Sequence, residues 1–183
     1  MKRPFVTLAS RIAWSCPWYQ IRQDDLRLPD GSAGVYNVVE KTPAAWIVPV
    51  TTDGQLVLIR NYRYTVDDWC LEIPAGSLLP DQTKEEAAAR ELREEIGGVA
   101  AAWEYVGQFY TANGICNEIS HIFLATGVAL HQPAHEPAEV MEVLQVPIDR
   151  ALALARTNQI SDGPSALAIL LCEGRLRALT ERM

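Results

Sequence analysis

One stretch constrains this chain more than any other: Gly76 to Gly98, which reads GSLLPDQTKEEAAARELREEIGG. Pro80 and Asp81 make a turn. Thr83 then caps a helix starting near Lys84, and Glu86 at the third helical position completes a capping box. The helix runs to about Ile96, where Gly97-Gly98 supplies the stop. Glu91, Glu94 and Glu95 stand at spacings of three and four, so their carboxylates share one face. Glu91 and Glu95, like charges four residues apart, cost about a few tenths of a kcal/mol in an isolated helix. A hard divalent cation against that face makes the clustering favourable, because Mg²⁺ takes oxygen ligands and relieves the repulsion. The plainer alternative is a solvated acidic helix face.

At 183 residues the chain is long enough for one domain with a proper core. Its net charge of -7 offers no basic footprint for nucleic acid, so a polyphosphate ligand needs local arginines or a metal. Cys16, Cys70, Cys116 and Cys172 are scattered without metal-type spacing and read as reduced, buried thiols of an intracellular protein. No secretory segment forms at the N-terminus, and no apolar run approaches the ~20 residues of a membrane span. The expected location is the cytoplasm.

Residues 1–45 read as an N-terminal antiparallel β section and 46–183 as the main domain. Trp18–Arg22, Leu26–Leu28 and Val35–Val39 are the candidate strands of the first part, with a turn at Pro29-Asp30-Gly31. Ala45–Val50 and Leu56–Arg60 form a hairpin about Asp53-Gly54. Arg60-Asn61-Tyr62-Arg63-Tyr64 follows, mixing cations suited to phosphate with aromatic faces suited to a base; both arginines can also be rim residues covering apolar surface. Glu72 precedes Pro74-Ala75-Gly76 and is placed either to touch a base or ribose or to pair with an arginine. Further strands are expected over Trp103–Tyr110, Ile119–Ala125 and Val140–Pro147. Helices are expected over Asp149–Arg156 and Ser161–Glu173, with Arg175, Arg177 and Arg182 at the end suiting the helix C-terminus. His121 reads as a core or edge histidine, and His131 and His135 as exposed residues of a polar loop.

The spacing of Gly76, position 82 and Arg90-Glu91-Leu92-Arg93-Glu94-Glu95-Ile96-Gly97 resembles the signature of the Nudix hydrolases, GX5EX7REUXEEXGU. Two positions depart from it: Gln82 replaces the first glutamate and Gly98 the final apolar residue. In the family that glutamate braces the box arginine, and Gln82 can accept a hydrogen bond from Arg90 without the ion-pair component. Residues 111–118 resemble the "PSPGFSDE" loop of ADP-ribose pyrophosphatases at Gly114 and Glu118, with Asn113 where the proline falls. The resemblance covers roughly residues 18–173.

It implies a Nudix-type α/β/α sandwich, an α/β fold with a mixed sheet, preceded by a β section that packs across a homodimer partner. The implied activity is metal-dependent hydrolysis, with Mg²⁺ or Mn²⁺, of the diphosphate linkage in a nucleoside diphosphate derivative such as ADP-ribose or another NDP-sugar. Glu91 and Glu95 are the implied metal ligands, with Glu94 shared or bridging and a backbone carbonyl at Ala75 or Gly76 completing the shell. Arg90 fixes the carboxylates. Glu139 is the implied general base, with Glu136 in reserve. Arg63, ahead of Arg60, faces the diphosphate, and Glu118 is either a ribose or metal-water contact or a surface carboxylate. A non-hydrolytic nucleotide-sugar sensor is the competing class. An isoprenoid-diphosphate isomerase would want a dedicated cysteine, for which Cys70 and Cys116 are weak handles.

Overall fold

The structure, a computed structural model, describes residues 3–135 and 140–181. These form two compact units: the chain up to Pro43 together with Phe109–Ile119, and Ala44–Gln108 together with the chain from Ser120 onward.

The first unit is built on a three-stranded antiparallel sheet of β1 (Val6–Ser15), β2 (Gln20–Arg27) and β3 (Ala33–Glu40), in that order. β1 goes beyond the sequence reading, which began its strands at Trp18. Its apolar residues alternate only loosely, and every position on it is solvent-exposed, so no buried face sharpens the period-two pattern. The turn foreseen at Pro29-Asp30-Gly31 closes through Gly31 N–H on the Leu28 carbonyl at 2.9 Å, with Gly31 at φ 88. Residues 109–119 join this unit through hydrogen bonds on both sides of Val39: its N–H donates to Ile115 O, and its carbonyl accepts from Asn117 N–H.

The second unit holds a mixed sheet. β4 (Ala44–Thr51) and β5 (Gln55–Arg63) form the expected hairpin, with Gly54 at φ 76 in its turn. β10 (Ile119–Leu130) runs parallel to β4, and β11 (Met141–Pro147) antiparallel to β5. β6 (Asp68–Glu72) lies on β5, β7 (Ala75–Ser77) on β4, and β8 (Gly98–Val99) and β9 (Ala102–Tyr110) on β10.

Helix α1 (Lys84–Ile96) packs on this sheet through Ala87, Ala88, Leu92 and Ile96. These residues share one core cluster with Ala45, Ile47, Val57, Ile59, Phe123 and Ala125. The alternate strand positions Val48, Val50, Leu56, Leu58, Ile122 and Leu124 are equally buried, so the central strands are covered on both faces. α2 (Ile148–Arg156) packs against β5 and β11, and α3 (Gly163–Leu171) against β4. The architecture is the mixed α/β sandwich the sequence implied. The helix expected over Ser161–Glu173 is α3, which ends at Leu171, and after Cys172 the chain continues as a further helix, α4 (Glu173–Thr180). Arg175 lies within α4, Arg177 lies in its last turn, and Arg182 lies outside the described residues.

All four cysteines are free thiols, and burial pushes the Cys172 thiol up to about 12. Among the described residues, no helix is long and apolar enough to cross a membrane.

Candidate active site

The acidic helix begins and ends as its sequence dictates. Thr83 caps α1: its hydroxyl accepts from Glu86 N–H, and the Glu86 carboxylate accepts from Thr83 N–H at 2.8 Å. The Thr83 N–H and the Thr83 hydroxyl, which donates to the same carboxylate at 2.8 Å, hold the Glu86 carboxyl below its ordinary pKa. Gly97 ends the helix in the left-handed region at φ 65. Gly98 stands where the family pattern carries an apolar residue, and a Cβ there would lie 2.8 Å from Leu92 Cγ. The void that an apolar side chain would fill is already taken by Leu92 and Ile96.

On the loop–helix element the carboxylates are drawn inward. Glu91 and Glu95 are 8% and 6% exposed, unusual values for glutamates, whereas the Glu94 side chain is half-exposed. Glu95 accepts a hydrogen bond from Ala75 N–H at 2.9 Å. Glu91 lies so close to the backbone of the preceding strand that a Cβ on Gly76 would stand 1.9 Å from its Oε1. Gly76 is therefore required for a reason beyond the turn: the carboxylate occupies the space of the missing side chain. Arg90 joins the cluster together, pairing with Glu91 at 2.7 Å and Glu94 at 2.8 Å and donating to Ser77 O at 2.8 Å.

Gln82 does something other than the expected bracing of Arg90. Its Oε1 accepts from Leu79 N–H at 3.1 Å, closing the turn before the helix. Arg90 Nε is correspondingly buried and has no hydrogen-bond partner among the described residues.

Arg63 and Glu72 form a two-pronged ion pair, with Arg63 Nε donating to Glu72 Oε1 at 2.7 Å. Of the two possibilities left open for Glu72, the structure shows the arginine pair. The Arg63 guanidinium is raised in pKa, first by that hydrogen bond and further by the charges of Glu72, Glu95 and Asp162, against the opposing effect of burial. The pair lines a cavity of about 540 Å³ that also takes in Asp68, Cys70 and Asp162.

Arg60 is committed elsewhere: it pairs with Glu142 at 3.3 Å and lies over the Trp69 ring at 4.7 Å. Positions 60 and 63 point to opposite faces of β5 by strand alternation, which is why only one of them meets Glu72.

Glu118 belongs to the first unit and is not a surface carboxylate. It is 4% exposed and pairs with Lys41 Nζ at 2.6 Å. Glu136 and Glu139 lie outside the described residues. His121 has the expected partly buried setting, 3.2 Å from the Tyr105 hydroxyl, and burial lowers its pKa, with the Lys84 charge adding to the effect. His135 differs from the sequence reading: its ring reaches the Glu95 carbonyl at 2.7 Å instead of standing free in solvent.

Among the described residues, no three acidic, histidine or cysteine side chains are gathered closely enough to hold a metal ion. The carboxylates engage Arg90 and the Ala75 N–H instead. The chemistry of the donors nonetheless suits a hard cation. Three carboxylates within two helical turns adjoin main chain held open by Gly76, with no thiol or imidazole side chain among them.

A mixed sheet carrying an acidic loop–helix of this kind defines a class, and the comparisons with known proteins name it. Residues 40–166 match the family model of the NUDIX domain. The ADP-ribose pyrophosphatase of Bacillus subtilis is 31% identical over 165 residues, covering 89% of each chain. The ADP-ribose pyrophosphatase of Mycobacterium tuberculosis is 33% identical over 140 residues, covering 74% of this chain and 68% of its own. A crystal structure of an ADP compounds hydrolase superposes with a TM-score of 0.83 over 97% of this chain and 96% of that one, at 21% identity, a likeness of fold. The chain belongs to the Nudix family. Within it, the chain stands with the ADP-ribose pyrophosphatase-like hydrolases.

Proposed function

We propose that this protein hydrolyses the diphosphate linkage of a nucleoside diphosphate derivative, ADP-ribose or another NDP-sugar, with Mg²⁺ or Mn²⁺ bound at the box. The observation that carries this reading is the convergence of buried Glu91 and Glu95 on the Ala75-Gly76 backbone, with Arg90 shared by Glu91 and Glu94. Glu91, Glu94 and Glu95, with the Ala75 carbonyl, would hold the metal. When bound it neutralises the anionic diphosphate oxygens that repel a nucleophile and lowers the pKa of water.

The chain's own residues do the rest. Arg90 keeps two carboxylates in one orientation, the work of a supporting group behind a ligand set. Arg63 presents a guanidinium to a phosphate, and Glu72 holds it in place from behind. The adjoining cavity carries Asp68 and Asp162, whose spare lone pairs suit the hydroxyls of a sugar. Glu139 keeps the role its sequence position suggests, accepting a proton from the attacking water. Glu118 is a ribose contact only if Lys41 releases it.

The protein is read as a cytoplasmic homodimer. Support for the dimer comes from the N-terminal sheet, where Val6, Leu8, Ile12, Trp14 and Val35 are each about half exposed or more in the single chain. The free thiols support a reducing compartment.

The deciding experiment is a panel of NDP-sugars, dinucleotides and coenzymes assayed with Mg²⁺ and with Mn²⁺. Metal-dependent release of a nucleoside monophosphate from ADP-ribose or a related NDP-sugar is the expected result. Tight binding without any turnover would turn the reading toward a nucleotide-sugar sensor.

A further inference from the structure

The last turn of α1 carries Glu94 and Glu95, and helix ends leave their final carbonyls without intrahelical partners. Here the segment His131–His135 supplies partners. His131 N–H donates to Gly97 O at 2.9 Å, and Ala134 N–H donates to Glu94 O at 2.8 Å. The His135 ring nitrogen Nε2 lies 2.7 Å from Glu95 O. A carbonyl only accepts, so Nε2 bears the proton in this contact. The approach is close: a Cβ on Gly97 would stand 2.1 Å from His131 O. Gly97 is thus needed twice, for its left-handed backbone and for the strap passing over it.

Two of these three bonds therefore land on the main chain of Glu94 and Glu95, and the third lands on Gly97 just beyond them. Of the three, only the His135 bond comes from a side chain. The Glu95 carboxylate is meanwhile held from its other end by Ala75 N–H. A helix turn gripped at its carbonyl loses rotational play, and the carboxylate it carries loses play with it.

We propose that His131–His135 is a buttress for the carboxylate-bearing turn, and that His135 is a positioning residue acting through the Glu95 backbone. The inference rests on the proposed role of Glu95. The ring touches neither substrate nor metal; it sets where the Glu95 side chain starts from.

The test compares His135→Ala, His135→Gln and His135→Phe in the full chain. It uses three readouts: kcat and KM on ADP-ribose, Mn²⁺ affinity by electron paramagnetic resonance without substrate, and thermal unfolding. Loss of the donor in Ala and Phe is expected to lower kcat and weaken Mn²⁺ binding by about tenfold each, with KM within about twofold. Gln, whose amide nitrogen reaches the same carbonyl, is expected to recover both to within about threefold.

Unchanged kcat and Mn²⁺ affinity in Ala would overturn the proposal, as would a Gln variant as impaired as Phe. A lower Tm with intact kcat and Mn²⁺ binding would make the contact merely structural and overturn it equally. If Ala does not fold, Phe fills the ring's space without the donor, and the Phe–Gln pair decides. Should the wild type turn over no NDP-sugar, the functional reading fails, while the Mn²⁺ comparison still decides the role of His135.

Discussion

Buried carboxylates occur in both units of this protein, and they are treated differently. In the N-terminal unit each is paired directly with a cation, although Arg22 serves Glu40 as well as Asp24. Asp24, 6% exposed, accepts from Arg22 and from Ser10, and those bonds, Arg22 first, hold its carboxyl below the ordinary range. Glu118 has Lys41. In the second unit Glu72, Glu91 and Glu94 pair with Arg63 and Arg90, and the Glu95 carboxylate accepts from the Ala75 N–H. Arg63 is engaged by Glu72, and Arg90 is divided between Glu91 and Glu94.

Burying a carboxylate is costly unless the charge is matched. A matched acid is explained by folding alone. Three acids gathered on one helix face, beside backbone opened by a glycine, suit the positively charged ligand of the proposed function. On the proposed function, the contrast separates acids that hold the fold from acids that work.

The sharpest way to break that contrast is Glu95→Gln. The amide oxygen can still accept from Ala75 N–H, so circular dichroism and Tm should stay near wild type while kcat falls by more than about a hundredfold. Near-wild-type turnover would place Glu95 with the structural acids.

Gly76→Ala comes next. The new methyl must displace the Glu91 carboxylate, and because that is the end of a flexible side chain the fold should survive. Turnover should drop about ten- to a hundredfold, read as kcat at saturating metal.

Lys41→Met probes the other side of the comparison. It leaves Glu118 buried without its cation and should cost about 1–3 kcal/mol in denaturant unfolding, with kcat unchanged in the folded enzyme. A fall in kcat at full stability would instead bring Glu118 into the substrate site.

The smallest effect is expected from Gln82→Glu. A carboxylate there offers an acceptor for the unpartnered Arg90 Nε, which should raise stability by about 1 kcal/mol. No change in Tm would show that Gln already suits the position.

Much of the candidate site was legible in the chain because its information is local. The helix, its caps and the shared face of Glu91, Glu94 and Glu95 follow from spacings of three and four within 23 residues. That Arg63 and not Arg60 pairs with Glu72 follows from strand alternation, since only one of the two can share a face with Glu72. The strand β1 was less legible, because a strand exposed throughout has no buried face to impose a pattern. The break at Cys172 was hidden because the apolar run Ala166–Cys172 carries no proline or glycine to mark it. Most hidden was His135, whose partner is a backbone carbonyl 40 residues earlier; no side-chain pattern reports a contact with main chain.

The chain by itself determined that an acidic helix would be capped at Thr83, stopped at Gly97 and loaded with three carboxylates on one side, since each of these depends on neighbours within a few residues. Only the tertiary structure decided that Gly76 would make room for Glu91, that Ala75 would hold Glu95, and that His131–His135 would close over the end of the helix. Those contacts join segments distant in sequence, and what selects them is the packing of α1 and the sheet around one core, which sets distances no local pattern encodes.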